Sequence, residues 1–265
     1  MHIFTTEFTV KCHSPDYMDT FPRQRKQAEQ RHRIMKRYKY IFIVIVLIFL
    51  SCSRTNKLFD EAVSLDNQKK YHEAIIVWNK LIQNNPTYLP AYINRGADKF
   101  ALKQYSEAIK DYCYVISQDS TYITAWLNRG SAKLELNDYN SAIDDFNAAE
   151  RIKREVYGCA QVIFHDRIEP KDVALEEICL QRGMAYWYVD SINKAYSDLN
   201  YCIDQEYEVV CSHFWRAYVY WKAGKEKEAY NDFMTVILQG RADDDYVIQA
   251  QQNLKILDTH STLLK

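Results

Sequence analysis

The chain has 265 residues, 48% hydrophobic and 26% charged, which is enough apolar material for a folded core and excludes global disorder. Six glycines and five prolines against 21 tyrosines argue against a turn-rich β-sandwich and for long helices packed through aromatic rings. The net charge of −1 hides an asymmetry: residues 1–51 hold nine basic and four acidic side chains, leaving 25 basic and 31 acidic in the remainder. That remainder, at −6, is a poor match to polyanions, so no nucleic-acid partner is expected.

Residues 1–34 begin without helical or strand periodicity and are expected to be an upstream extension outside the mature protein; a basic cytoplasmic tail is the alternative. From Met35 the chain reads MKRYKYIFIVIVLIFLSCSRT. Its apolar run, Ile41 to Leu50, makes about 15 Å of helix, whereas a hydrocarbon core takes roughly 20 residues and 30 Å. Lys36, Arg37 and Lys39 precede the run and Ser51, Cys52 and Ser53 follow it, the order of a secretory signal over 35–51. The ending FLSC resembles the lipobox of bacterial lipoproteins, with Phe49 where Leu is usual. The resemblance implies cleavage before Cys52, a diacylglyceryl thioether on its sulfur and acylation of its new amino group. Membrane attachment through that lipid follows, and Ser53 is compatible with an outer-membrane lipoprotein facing the periplasm. A plain cleaved signal, a short anchor and a buried core helix are the other readings.

Beyond the signal the sequence repeats with a 34-residue period. INRGADKFALKQYSEAIKDY (93–112) returns as LNRGSAKLELNDYNSAIDDF (127–146), LQRGMAYWYVDSINKAYSDL (180–199) and FWRAYVYWKAGKEKEAYNDF (214–233), with a divergent first copy, FDEAVSLDNQKKYHEAIIVW (59–78). Each copy reads as two helices around a polar turn such as Lys103-Gln104 or Asn137-Asp138. Small residues in the first helix (Ala62, Gly96, Gly130, Gly183, Ala217) are set against alanines in the second (Ala74, Ala108, Ala142, Ala195, Ala229), so the helices approach closely. Trp78, Tyr112, Phe146, Leu199 and Phe233, four residues beyond those alanines, are candidate core.

This pattern resembles the tetratricopeptide repeat (TPR) family over residues 55–240. The resemblance implies an all-α, right-handed α-α superhelix of about five helix-turn-helix repeats (55–88, 89–122, 123–156, 176–209, 210–240), with an insertion at 157–175. It also implies a non-enzymatic module that binds proteins or peptides. Lys99 and Lys133 stand where an aromatic residue is usual, which predicts looser packing there. Residues 241–265 supply a cap: Val247, Ala250, Leu254 and Leu257 form one apolar stripe behind the acidic start Asp243-Asp244-Asp245.

The family's concave positions fall on Ile93, Phe100, Leu127, Leu134, Leu180, Met184, Trp187, Phe214, Tyr218 and Trp221. They form either a partner-binding groove or the packing between repeats. Trp187 and Trp221 are the candidate anchors. Asn94 and Asn128 are placed to bond a peptide backbone, while Ala97, Ser131, Met184 and Tyr218 leave no Lys/Arg/Asn clamp for a terminal carboxylate. A glycan stacked on Trp187, Tyr218 and Trp221 is the alternative ligand. Four copies also carry an Arg (Arg95, Arg129, Arg182, Arg216) followed sixteen residues later by an Asp (Asp111, Asp145, Asp198, Asp232), whereas the first copy has Glu61 and Val77. In an antiparallel hairpin these positions come level, which predicts ion pairs within a hairpin or across to its neighbour.

No spacing of His, Cys or acidic residues marks a metal, cofactor or catalytic site. His165 and Asp166 of the insertion read as solvent-facing. Cys113, Cys159, Cys179, Cys202 and Cys211 follow Cys52. Buried free thiols are the expectation, with a Cys179–Cys202 bridge as the alternative.

Overall fold

A computed structural model of the protein describes residues 22–157 and 173–263. The described residues form eleven α-helices and one π-helical turn: α1 (Pro22–Asn67), α2 (Tyr71–Asn84), α3 (Leu89–Ala101), α4 (Tyr105–Gln118), α5 (Ile123–Glu135), α6 (Tyr139–Ile152), the π turn (Lys153–Tyr157), α7 (Leu175–Tyr188), α8 (Ile192–Asp204), α9 (Val209–Lys222), α10 (Glu226–Gln239) and α11 (Asp245–Leu263). The chain divides into two compact units, Met1–Lys57 and Leu58–Lys265. In the first, helical residues such as Ile34, Met35, Tyr38, Tyr40, Ile41 and Phe42 are exposed. Residue 52 falls within α1, but the side chain of Cys52 lies outside the described residues. Among the described residues no helix is long and apolar enough to cross a membrane.

The second unit is an all-α solenoid. Each helix from α3 onward packs against its predecessor, α2 packs against the end of α1 through Phe59 and Trp78, and α3, α5, α7, α9 and α11 also touch in sequence. The first helices of successive repeats therefore make one continuous inner layer, with the second helices outside it. Three glycines set the close approach. A Cβ on Gly96 would lie 2.5 Å from Tyr112 Cε1, one on Gly130 2.6 Å from Phe146 Cε1, and one on Gly183 3.0 Å from Leu199 Cγ. The large residue of the second helix, rather than its alanine, thus covers the glycine of the first. Trp78, Tyr112, Phe146, Leu199 and Phe233 are all buried, as are the five second-helix alanines. Each such large side chain contributes about 1.5–3 kcal/mol by leaving water.

The hairpin turns share one geometry. Lys69, Lys103, Asn137, Asp190 and Gly224 all have φ between 59° and 72°, the left-handed region. The residue after each returns its N–H five residues, as Gln104 does to the Lys99 carbonyl at 2.8 Å and Lys225 to the Tyr220 carbonyl at 2.9 Å. The left-handed residue itself donates three back, as Lys103 does to Phe100 at 2.8 Å. This pair of bonds is the Schellman motif, which satisfies the last carbonyls of the first helix and reverses the chain. Only the last of these turns has the glycine that the geometry favours.

The end of the array is covered by α11, which buries Val247, Ala250, Leu254 and Leu257 against Phe214, Phe233 and Val236. At the insertion, α6 continues into the π turn and the chain returns through buried Val173. Cys159, His165 and Asp166 lie outside the described residues. Cys113, Cys179, Cys202 and Cys211 are free thiols; Cys113 is exposed and the other three are buried. Burial pushes the Cys179 and Cys202 thiols up to about 12.

Candidate partner-binding groove

Half of the predicted groove residues belong to the core. Ile93, Leu127, Leu134, Leu180 and Phe214 are at most 8% exposed, because their turn of the first helix faces the neighbouring repeat as well as the inner surface. Phe100, Met184, Trp187, Tyr218 and Trp221 are half-buried. Phe100 and Met184, with the edge of Leu134, line a cavity of about 410 Å³. Its polar lining comes from Asn128, Ser131, Glu135 and Gln181, and Tyr246 of α11 closes one side. Tyr112 reaches from the core to Asn128, and burial, ahead of the nearby Asp111 and Asp98 charges, pushes its phenol up. Tyr105 donates to Glu135 Oε2 at 3.1 Å.

Toward the C-terminal end the inner layer becomes aromatic. Trp187 meets Trp215 and Tyr218 edge to face, each at 5.6 Å between centroids. Tyr218 stacks with Trp221 at 6.2 Å, and Tyr139 stacks with Tyr188 at 4.3 Å. Asn253 of the cap donates to the Tyr218 hydroxyl at 2.8 Å, and the Lys222 ammonium sits 4.8 Å over Trp187. These rings are therefore held largely by one another.

Behind the groove stands a ladder of charged hydrogen bonds. Arg95, Arg129, Arg182 and Arg216 each grip both oxygens of the Asp sixteen residues on; in Arg129–Asp145 the bonds are 2.9 Å from Nε and 2.7 Å from Nη2. The Asp is within the same hairpin in all four. The bond to the preceding hairpin comes from the remaining Nη1, which reaches Asn79, Cys113, Asn147 or Asn200 at 2.7, 3.3, 2.9 and 2.7 Å, and in Arg182 the same nitrogen also pairs with the Glu150 carboxylate, an ion pair across to the preceding hairpin. These partners were not expected from the repeat pattern, although Asn79, Cys113 and Asn200 also stand sixteen residues from their arginines.

Lys99 and Lys133 give the ladder a second cation, to Asp111 at 2.7 Å and Asp145 at 2.8 Å. The positions predicted to pack loosely are thus filled by ion pairs. In the later repeats tyrosine returns there, and Arg182 and Arg216 lie over Tyr186 and Tyr220. The environments differ in sign. Burial pushes Asp198 above its ordinary value despite Arg182, with Glu150 adding to the rise. For Asp232 burial also opposes ionisation, but bonds from Arg216 and His213 outweigh it and hold the carboxyl below its ordinary value. Among the described residues no group of His, Cys, Asp or Glu is placed to hold a metal ion.

Comparison with known families matches tetratricopeptide-repeat models to residues 58–88 and 123–156. No curated protein matches the chain at a significant level. Among solved structures, the type IV pilus biogenesis factor PilW aligns with a TM-score of 0.60 at 15% identity, covering 79% of this chain and 91% of PilW. A thermophilic TPR protein of Thermus thermophilus aligns at 0.56 and 16% identity, over 76% of this chain and 98% of that one. YrrB, described as a TPR protein with an unusual peptide-binding site, aligns at 0.54 and 14%, over 74% and 90%. At these identities the superpositions show a shared fold and nothing beyond it. With two repeats matched by family models and the same helix-pair architecture running from Leu58 to the cap, the chain is a tetratricopeptide-repeat protein.

Proposed function

We propose that this protein is a non-enzymatic, lipid-anchored scaffold of a bacterial envelope that holds a segment of a partner protein along its inner layer. The observation that carries the reading is the cavity of about 410 Å³, where apolar Phe100, Leu134 and Met184 are bordered by the amides of Asn128 and Gln181. An apolar floor with a few hydrogen-bonding side chains suits an extended or amphipathic segment. The anchor rests on the FLSC sequence before Ser53, and places the solenoid on the periplasmic side of an outer membrane. The likeness to a pilus biogenesis factor and to a peptide-binding TPR protein suggests a role in assembling outer-membrane, secretion or pilus components. A glycan ligand is less favoured, because Trp187, Tyr218 and Trp221 already pack on other rings.

The test is to fill the cavity without touching the core. Ser131→Trp, at a half-buried position, is expected to leave melting near wild type while abolishing recovery of the partner crosslinked in intact cells. Undiminished recovery would count against the groove. Cys52→Ser is expected to accumulate unprocessed, unlipidated precursor, and normal processing would count against the anchor.

A further inference from the structure

The second repeat carries one buried acid that the ladder does not use. Asp98, on α3, is 2% exposed and accepts a hydrogen bond from the Trp78 indole N–H at 2.8 Å. Asp111, Asp145, Asp198 and Asp232 each face an arginine; the charged group that meets Asp98 is another carboxyl, Asp66, within hydrogen-bonding reach at the end of α1. Facing it from α2 is the neutral indole of Trp78, and from α4 the phenol of Tyr112, beside Asp111. No cation acts on it from these helices among the described residues. Asp66 and Trp78 belong to the first repeat and Asp98 to the second, so the cluster spans the junction between them.

We propose that Asp98, buried beside Asp66 and Trp78, is a proton-sensitive latch that docks the first repeat onto the second when Asp98 holds a proton and loosens it when Asp98 ionises. Two carboxylates in contact cannot both ionise without cost, and a shared proton turns the repulsion into a hydrogen bond. Burial, then the hydrogen bond and charge of Asp66, push Asp98 from 3.8 up to about 7, with the Trp78 bond opposing. A carboxyl raised in the folded state binds a proton that the unfolded chain has released. Docking is therefore strongest in mild acid, weakens as pH rises toward about 7, and stays at the weakened level above it. The latch is independent of what the groove binds.

Hydrogen exchange of the full chain in detergent, corrected for the intrinsic pH dependence of the amides, reads the latch directly. Peptides from 58–84 are compared with peptides from 209–239 as an internal reference. Between about pH 5 and about pH 8, protection of the first repeat is expected to fall about tenfold or more relative to the last, since each pKa unit is a tenfold change in the linked equilibrium. Asp98→Asn retains an acceptor for Trp78 and is expected to flatten that dependence. Asp66→Asn, at an exposed position, is expected to move the transition to lower pH, which keeps the test decisive if the Asp98 variant folds poorly. A flat wild-type profile, or an unchanged profile in Asp66→Asn, would overturn the latch.

Discussion

Arg129 holds both carboxylate oxygens of Asp145 and, through its third nitrogen, the Cys113 sulfur of the preceding repeat at 3.3 Å. One side chain thereby fixes the two helices of a hairpin and the spacing to the hairpin before it. Asp145 is 2% exposed, so removing its partners strands a charge in the interior. Asp145→Ala is expected to destabilise the solenoid by about 3 kcal/mol, and Arg129→Ala by less because Lys133 still reaches Asp145 at 2.8 Å. A denaturant double-mutant cycle on the two positions checks this: coupling within error of zero would mean the pair is idle.

The glycine beneath Phe146 makes a steric prediction. Gly130→Ala places a methyl 2.6 Å from the ring edge, an overlap expected to cost about 1–3 kcal/mol in urea unfolding. Adding Phe146→Leu, which copies the Gly183–Leu199 arrangement, is expected to recover part of the loss. A double variant no better than Gly130→Ala alone would mean the strain lies elsewhere.

The shared turn offers a gain. Lys103 sits at φ 59°, a region that costs a side-chain-bearing residue roughly 1–2 kcal/mol, partly offset by the flexibility glycine adds to the unfolded chain. Lys103→Gly is therefore expected to raise stability by up to about 1 kcal/mol, and Gly224→Ala, at φ 72°, to lower it similarly. Thermal melts of the two variants should move in opposite directions; a shared direction would contradict the turn argument.

The thiols should separate by reactivity. Cys113 is exposed, whereas burial keeps Cys179 and Cys202 protonated, with values pushed up to about 12. Alkylation of the folded chain followed by peptide mass mapping is expected to mark Cys113 promptly and Cys179, Cys202 and Cys211 only after unfolding. Equal labelling of Cys113 and Cys202 would contradict the burial.

Much of this fold is written in the sequence because the repeat multiplies weak signals. One Gly or Ala says little, but Ala74, Ala108, Ala142, Ala195 and Ala229 at one position in five copies define a hairpin, and each is buried. The Arg–Asp spacing of sixteen was legible for the same reason. The groove was not, since a first-helix residue such as Leu127 faces both the inner surface and the adjacent repeat, and periodicity cannot divide those two environments. Tyr246 was also hidden, because it reaches the cavity from the cap, outside the repeat register. Asp98 stands in a single copy, so no pattern drew attention to its junction with Trp78.

Site-specific photocrosslinking in intact cells shows whether the inner layer is the partner surface. A photoreactive residue at Gln181, in the cavity wall, is compared with one at Lys110, on the outer helix α4. One defined adduct is expected from Gln181, none of that mass from Lys110, and loss of the Gln181 adduct when Ser131→Trp fills the cavity. An adduct of equal yield from Lys110, or one that survives Ser131→Trp, would contradict that expectation.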